Sequence, residues 1–571
     1  MPGLIYSSGV PKQKSDSLCK GLCFDKRYYQ NDFLRNEHEA ILFNGYKEYP
    51  VKKYDFKPWV CCVEGLIYNA EIEAVLNAVI KDIAHGNITN IAEIIGPLDG
   101  EFLIILHNVE TGITYILNDS MGRLPVYIYR KDDVLIVSRE ISFVLNFIGK
   151  PSYIKANVAL HLMFGFSFGS TTIWNGIERL EPHSVIQFNS ETKAFNNNSF
   201  FRLNIGSEKN SSATEVFDHF KLALENRITK LPNPSISLSG GLDSRLVAGF
   251  TAELKATIPF TTFVRSDGAA DLDVECAKRI LQNLNYSKLH NLVRLPSSSD
   301  EDLDYILRIK SGLNNGAMGF ILPYYRYLES QNLTSITGDG GDKFFVNLYP
   351  HRNLKSNDDL VAYLLFNVSS LKIELAARLA GTTESEILKV ISKRVKSYRL
   401  SSWNKVYAYF LIRERGINWV YEGEDRTRYL TWTTSPYYSP QLIKSTMKMA
   451  MQKKKHGGLF SSLFNLLPGS LETVLNPNWQ LVPSNKAGIR VLFFKQGLKS
   501  RFPNLVPKKR DVSVQEFEKQ DKLNEMLANA NESSPIKMDE EEFQKLTLAD
   551  IVPWRILSIL FRENDQRPFI N

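Results

Sequence analysis

Cysteine is scarce in this 571-residue chain: Cys19, Cys23, Cys61, Cys62 and Cys276 make an odd count with no paired spacing. That argues against a disulfide framework and makes a reducing cytoplasm the expected compartment. Cys19 and Cys23 resemble half of a metal site, but no second Cys/His pair completes it. Long apolar runs are also missing. None approaches the roughly 18 residues needed to cross a bilayer, and no charged segment leads into an apolar core near Met1, so neither a membrane span nor a signal peptide is expected. There is no internal repeat. Charge of one sign is not in large excess either: the net +7 is modest for this length and does not by itself point to nucleic acid. The run Lys453-Lys454-Lys455-His456 reads as a solvated loop.

What is present is a soluble globular composition, 43% hydrophobic and 23% charged, in a chain too long for one ordinary core. Residues 1–205 read as strands and turns with a few helices. Gly100 to Leu106, Ile113 to Leu117 and Val134 to Ser138 are strands, and Glu71 to Ala84 has helical spacing. Asn196-Asn197-Asn198-Ser199 and the polar stretch Gly206 to Ser212 mark a boundary. From 213 to 571 helices dominate, with short strands at Ser235 to Leu238, Pro259 to Val264 and Leu333 to Thr337. That alternation predicts a parallel α/β sheet with its ligand site at the carboxyl ends of the strands, followed by a mainly helical region. The polar, acidic stretch Asn529 to Glu542 reads as a surface loop or mobile insertion. The expected fold is thus a two-domain α/β and α+β chain.

The most specific motif is Ser239-Gly240-Gly241-Leu242-Asp243-Ser244, set between an apolar strand and a helical pattern. Two glycines let the backbone turn tightly, so its N–H groups converge on an anion at the helix N-terminus. Ser239 and Ser244 add hydroxyls, and Asp243 adds a carboxylate able to hold Mg2+ beside phosphates. No lysine follows the last glycine, as a P-loop kinase signature would require. A second loop, Gly338-Asp339-Gly340-Gly341-Asp342, follows the strand at Leu333 to Thr337. It can bring Asp342 toward the same phosphates as a second carboxylate for Mg2+.

The first of these strings resembles the PP-loop of ATP pyrophosphatases, and over most of its length the chain resembles the asparagine synthetase family. That family joins a class II glutamine amidotransferase domain to a PP-loop synthetase domain. Gly65-Leu66-Ile67-Tyr68-Asn69 matches its G-x-I-Y-N, and Leu98-Asp99-Gly100-Glu101-Phe102 its L-D-G-x-F. Asp119, Gly122, Pro125 and Tyr127 match D-x-x-G-x-x-P-x-Y, and Phe164-Gly165, Thr172-Ile173, Gly176-Ile177, Leu180 and Pro182 follow the segment leading into the synthetase domain. The resemblance implies an amidotransferase-like domain over residues 1–205, built of β-sheet layers with helices, and a PP-loop domain over residues 213–571. It implies ATP bound by Ser239, Gly240, Gly241, Asp243, Ser244, Gly338, Asp339 and Gly340, with Mg2+ on Asp243 and Asp342. Lys495 fits the family's Lys in K-x-x-L-R, and Lys508 or Lys509 a later Lys that neutralises charge at phosphorus. Acids on the helix holding Asp273 and Glu275 are expected to be structural.

Departures from the family are as informative. The glutaminase cysteine at position 2 is Pro2, which has no nucleophile. The oxyanion-hole Asn before the G-x-I-Y-N glycine is Glu64, whose carboxylate would repel an oxyanion. The N-terminal domain is therefore expected to be inactive toward glutamine. The family's E-x-R-x-P-F-L-D falls on Trp432 to Ser439, with Trp432 for Glu and Thr434 for Arg. This register predicts an acceptor pocket walled by Trp432, Tyr437 and Tyr438, bulkier or less charged than one for aspartate.

The resemblance implies an AMP-forming carbon–nitrogen ligase acting on a small-molecule or peptide carboxylate and amine, as in relatives that lost the nucleophile, β-lactam synthetases and lasso-peptide cyclases. Asparagine synthesis from ammonia or a partner's glutamine nitrogen stays open, as does a nucleotide-binding paralogue without chemistry. A PP-loop enzyme acting on tRNA predicts a basic RNA-binding appendage, and the N-terminal match gives that reading no support. No nucleic-acid or membrane partner is expected, and a homodimer is left open.

Overall fold

The computed structural model describes all residues except 1, 23–24, 207–210, 298, 314–315, 502–510, 514–516, 530–533, 538–539, 550 and 565–571. In the first 205 residues two six-stranded antiparallel sheets lie face to face. The first runs in the order Ile177–Arg179, Tyr127–Lys131, Val134–Ser138, Gly3–Ser8, Glu39–Gly45, Tyr29–Arg35. The second runs Phe195–Ser199, Ser184–Asn189, Ile113–Asn118, Gly100–Asn108, Trp59–Ile67, Val51–Phe56. Strand side chains alternate between faces, and here both faces are covered. Leu4, Tyr6, Ile41 and Phe43 meet Cys62, Leu103, Ile105 and Ile116 between the sheets. Phe102, Ile104 and Leu106 point the other way, onto the helices Ile72–Ala84 and Ile88–Ile95. Ile5, Leu42 and Ile136 face the helices Ile141–Ile148 and Lys155–Phe164. This half is a four-layer helix–sheet–sheet–helix stack.

The second half carries a five-stranded, all-parallel sheet in the order His290–Arg294, Phe260–Val264, Pro234–Ser237, Thr334–Ile336, Thr433–Thr434. The chain starts in the middle, winds to one edge, then crosses to the other side. The winding therefore reverses between Pro234–Ser237 and Thr334–Ile336, and a crevice opens at their carboxyl ends. The two glycine loops leave the sheet there.

Several local expectations are corrected. Asn196 to Ser199, read from composition as part of a boundary region, has regular structure: it belongs to the edge strand Phe195–Ser199, paired with Ser184–Asn189. Its polar side chains are exposed, which suits a sheet edge. Lys454 is not solvated but 1% exposed, donating to the Phe344 carbonyl at 2.7 Å. Lys453 and Lys455 are exposed as expected. Within the acidic stretch, Ser534 and Ile536 are buried and Lys537 N–H donates to Leu379 O at 2.6 Å. The two-residue strand Thr433–Thr434 was too short to show any periodicity. The helix Ile551–Asn564 reaches back to the first half, where Arg555 caps the helix Lys155–Phe164 by donating to Leu162 O at 2.8 Å and Met163 O at 3.1 Å. Cys61, Cys62 and Cys276 are buried thiols, and no described helix is long and apolar enough to cross a membrane.

Candidate active site

A cavity of about 490 Å3 opens at the crevice, lined on one side by Ser239, Gly241, Asp243 and Ser244 and on the other by Thr337, Gly338 and Asp339. The helix Leu242–Glu253 begins at Gly241 with no side-chain cap, so its first N–H groups face the cavity end as an anion site. The loop itself is braced. Ser244 Oγ lies 2.9 Å from Ser239 Oγ and accepts from Ser239 N–H at 3.1 Å, while Gly240 N–H donates to Asp273 at 3.0 Å. Asp273 thus has the structural part expected of it. Behind the loop the fully buried Arg245 donates to the carbonyls of Gly240, Leu471, Val474 and Leu475. With no carboxylate beside it, burial lowers its pKa to about 10.

The two glycine loops pack closer than side chains would permit. A Cβ on Gly338 would stand 2.5 Å from Ser244 N, and one on Gly341 would strike the Asp243 carboxylate at 2.1 Å. Asp243, Asp339 and Asp342 therefore crowd together. Burial pushes the Asp243 carboxyl up to about 8, with Asp342 and Asp339 adding to the rise and Lys343 opposing it. Lys343 is itself paired with Asp342, whose side chain is 57% exposed. Acidic oxygens outnumber cations at this end of the cavity, and the donors are all hard oxygen, a set that suits Mg2+. Among the described residues no group of three or more ligating side chains is assembled on its own. Mg2+ does not need one, because it commonly takes one or two carboxylates and completes its shell with phosphate oxygens and water.

The far end of the cavity differs in character. Leu313, Met318, Ile321, Tyr324, Tyr325, Trp419 and Val420 form an apolar and aromatic wall, and Glu424, Arg426 and Thr427 enter it as polar groups. Glu424 and Arg426 escaped sequence reasoning. The available signal was the charged cluster Glu422, Glu424, Asp425, Arg426, Arg428, just upstream of the segment that drew attention. Burial raises the Glu424 carboxyl to about 7, against the lowering effect of Arg123 and of a hydrogen bond from Tyr438 Oη at 2.8 Å.

The expected aromatic wall at Trp432 to Tyr438 is not what lines this space. Trp432 is 3% exposed and lies at the seam between the domains, its indole N–H 3.3 Å from Tyr68 Oη and its ring edge-on to Tyr49. Thr434 is buried at the same seam, between Arg227 and Glu101. Tyr437 and Tyr438 buttress from behind: Tyr437 Oη donates to Asp243 O at 3.0 Å and Tyr438 Oη to Glu424. Lys495 is exposed on the helix Lys486–Arg501 and does not line the cavity. Lys508 and Lys509 lie outside the described residues.

In the N-terminal half, Pro2 is buried, and a Cβ on Gly45 would come within 2.8 Å of its Cβ. The Glu64 carboxylate is fully enclosed, accepting from Leu4 N–H at 2.8 Å, Tyr49 Oη at 2.6 Å and Arg139 Nε at 2.8 Å.

Fold and cavity define a parallel α/β domain, with a crevice where its winding reverses, joined to a double-sheet N-terminal domain. Residues 215–454 match the family model described as asparagine synthase, and over that stretch the chain is similar to that family. No curated protein gives a significant match. Solved structures found by shape include NMN synthetase from Francisella tularensis, 17% identical over 38% of this chain and 96% of that one, with a TM-score of 0.20. Another is glutamine phosphoribosylpyrophosphate amidotransferase from B. subtilis, 10% identical over 73% of this chain and 96% of that one, with a TM-score of 0.23. Likenesses this weak bear no weight.

Proposed function

We propose that this chain is an AMP-forming carbon–nitrogen ligase that activates a carboxylate with ATP and passes the acyl group to an amine. The observation that carries this reading is the meeting of the two glycine loops around Asp243 at the open helix N-terminus, beside a cavity that continues into an apolar, Glu424-bearing chamber. A free carboxylate is a poor acyl electrophile at neutral pH, which is why activation is needed. In the first step a carboxylate oxygen attacks the α-phosphorus, the bond from that phosphorus to the bridging oxygen breaks, and pyrophosphate leaves. Ser239, Gly241 and Ser244, which line the cavity, bind the leaving phosphates through backbone and hydroxyl donors, while Gly240, its N–H given to Asp273, serves the turn of the loop. Asp243 and Asp342 are the carboxylates that would hold Mg2+, which when bound neutralises phosphate charge. In the second step the amine attacks the acyl carbon, the bond to the AMP oxygen breaks, and AMP leaves. Glu424, poised near neutrality, takes the proton that the amine loses.

Glutamine is not the nitrogen source under this reading, because Pro2 offers no nucleophile and Glu64 is locked in an ion pair. The test is a screen for substrate-dependent pyrophosphate release with candidate carboxylates and amines, aspartate with excess ammonia among them. AMP and an amide formed together support the ligase. Rapid asparagine formation would return the chain to the asparagine synthetases proper, and nucleotide binding without pyrophosphate release under any substrate would make it a non-catalytic paralogue.

A further inference from the structure

Three sequence landmarks of the N-terminal domain converge on the ATP domain. In the first, Tyr68 contacts Trp432 at 3.3 Å. In the second, Asp99 pairs with Arg227 and Glu101 accepts from Thr434 at 2.8 Å. The third is the loop from Asp119 to Pro125, and its product is Arg123. Asp119 folds this loop by accepting from the N–H groups of Met121 at 2.9 Å and Arg123 at 3.0 Å. Gly122 turns it at φ +62°, with Pro182 packed against the turn.

Arg123 is 2% exposed and crosses the domain boundary to reach Glu424, which lines the cavity. Its guanidinium pairs with Glu424 Oε2 and lies 3.6 Å from the Tyr438 ring centre and 4.5 Å from that of Tyr421. Tyr438 Oη holds the other Glu424 oxygen. The rest of the short helix Tyr421–Asp425 is gripped in the same way. Glu422 accepts from Tyr127 Oη at 2.6 Å and Arg179 at 2.7 Å, and Asp425 pairs with Arg139 at 2.9 Å. Thus each of its three acids meets a residue of the N-terminal domain, while Gly423 and Glu424 line the cavity.

We propose that the N-terminal domain is a working part of the ATP site, with Arg123 as the positioning residue that holds Glu424 in its chamber. This rests on the ligase reading for what Glu424 does, but not for how it is held. The groups facing Glu424 are Arg123 and Tyr438 in contact, Tyr421 beneath, and Asp339 and Arg426 within electrostatic reach. A cation this close in a buried setting favours the ionised carboxylate. Without it, burial and Asp339 favour the protonated acid, which cannot accept a proton from an amine. A domain without glutaminase machinery is then kept because the synthetase site is incomplete without it.

The test uses the full chain, without nucleotide, and follows the carboxyl titration by infrared difference spectroscopy. The Glu424 band is identified by its loss in Glu424→Gln. Arg123→Met should raise its midpoint by about one pH unit or more, a tenfold change in the protonated fraction, and Arg123→Lys should restore most of the shift. If Arg123→Met does not fold, Arg123→Gln carries the same test with a polar side chain. An unchanged midpoint in a folded uncharged variant overturns the proposal. Pyrophosphate release is read in parallel. A shifted midpoint with no release from any substrate refutes the ligase reading alone, and normal release with an unshifted midpoint refutes the role of Arg123 alone.

Discussion

The seam between the two domains can be tested at its most completely paired cation. Arg227, on the helix Ala213–Lys230, is fully buried and donates to both Asp99 oxygens at 2.8 Å, to Thr434 Oγ1 at 3.0 Å and to Ala223 O at 2.9 Å. Its guanidinium also lies 4.5 Å from the Tyr68 ring centre. Replacing Asp99 with Ala removes the only carboxylate among the described residues in hydrogen-bond contact with Arg227 and strands a charge in a dry environment. Breaking one side of such a pair, by Asp99→Ala or by Arg227→Met, costs about 3–5 kcal/mol, whereas the double variant Asp99→Ala/Arg227→Met leaves no charge unpaired and should cost well below the sum of the two. The two single changes are therefore strongly non-additive, with a coupling of about 2 kcal/mol or more. Urea unfolding with two probes measures this. The part of the tryptophan fluorescence that is lost in Trp432→Phe reports the seam, where the indole sits against Tyr68 and Tyr49, and far-ultraviolet circular dichroism reports overall structure. Under the expected outcome Asp99→Ala moves the Trp432 transition to lower urea. A cost below about 1 kcal/mol for Asp99→Ala, with an additive double variant, would refute the coupling.

Three further outcomes are expected. Asp243→Asn and Asp342→Asn should each lower Mg2+-dependent pyrophosphate release by ~10^2 or more while circular dichroism is unchanged; wild-type release by either variant removes that residue from the metal set. Purified protein should free no glutamate from glutamine, with or without ATP, and turnover at an ordinary enzymatic rate would demand a nucleophile other than Pro2. Asp425 gives a pH signature. Burial works to raise its carboxyl, but Arg139, Lys310 and Arg428 together hold it well below the usual range. A depressed acid stabilises the fold above its ordinary pKa of about 4 and loses that effect as pH falls through the folded value. The unfolding free-energy gap between wild type and Asp425→Asn should thus be level above about pH 5 and shrink below about pH 4. A gap independent of pH down to 3 would show that the ion pairs contribute nothing.

The residues that need an unusual backbone or a strict alternation announced themselves. The strand–Gly-Gly–helix transition at Ser239 to Ser244, the second glycine loop and the period-two strands from Gly100 to Ser138 were legible because local chemistry alone dictates them. The glycines of the second loop were legible as a turn, but the reason Gly338 and Gly341 tolerate no side chain is tertiary: Ser244 and Asp243 of the first loop pack against them. Pro2 and Glu64 could be read as losses, since each removes a chemical capacity whatever surrounds it. What the tertiary structure decided was which side chains face the cavity. Trp432 and Glu424 lie eight positions apart, and nothing local distinguishes an aromatic at a domain seam from one in a pocket. That choice came from the packing of Trp432 against Tyr68 and Tyr49 of the other domain, and from Arg123, 301 residues upstream of Glu424. A charge brought from another domain leaves no periodicity in the segment it pairs with. Burial likewise separated Lys454 from Lys453 and Lys455, three lysines identical in sequence terms, because only the packed chain decides which amine loses its water.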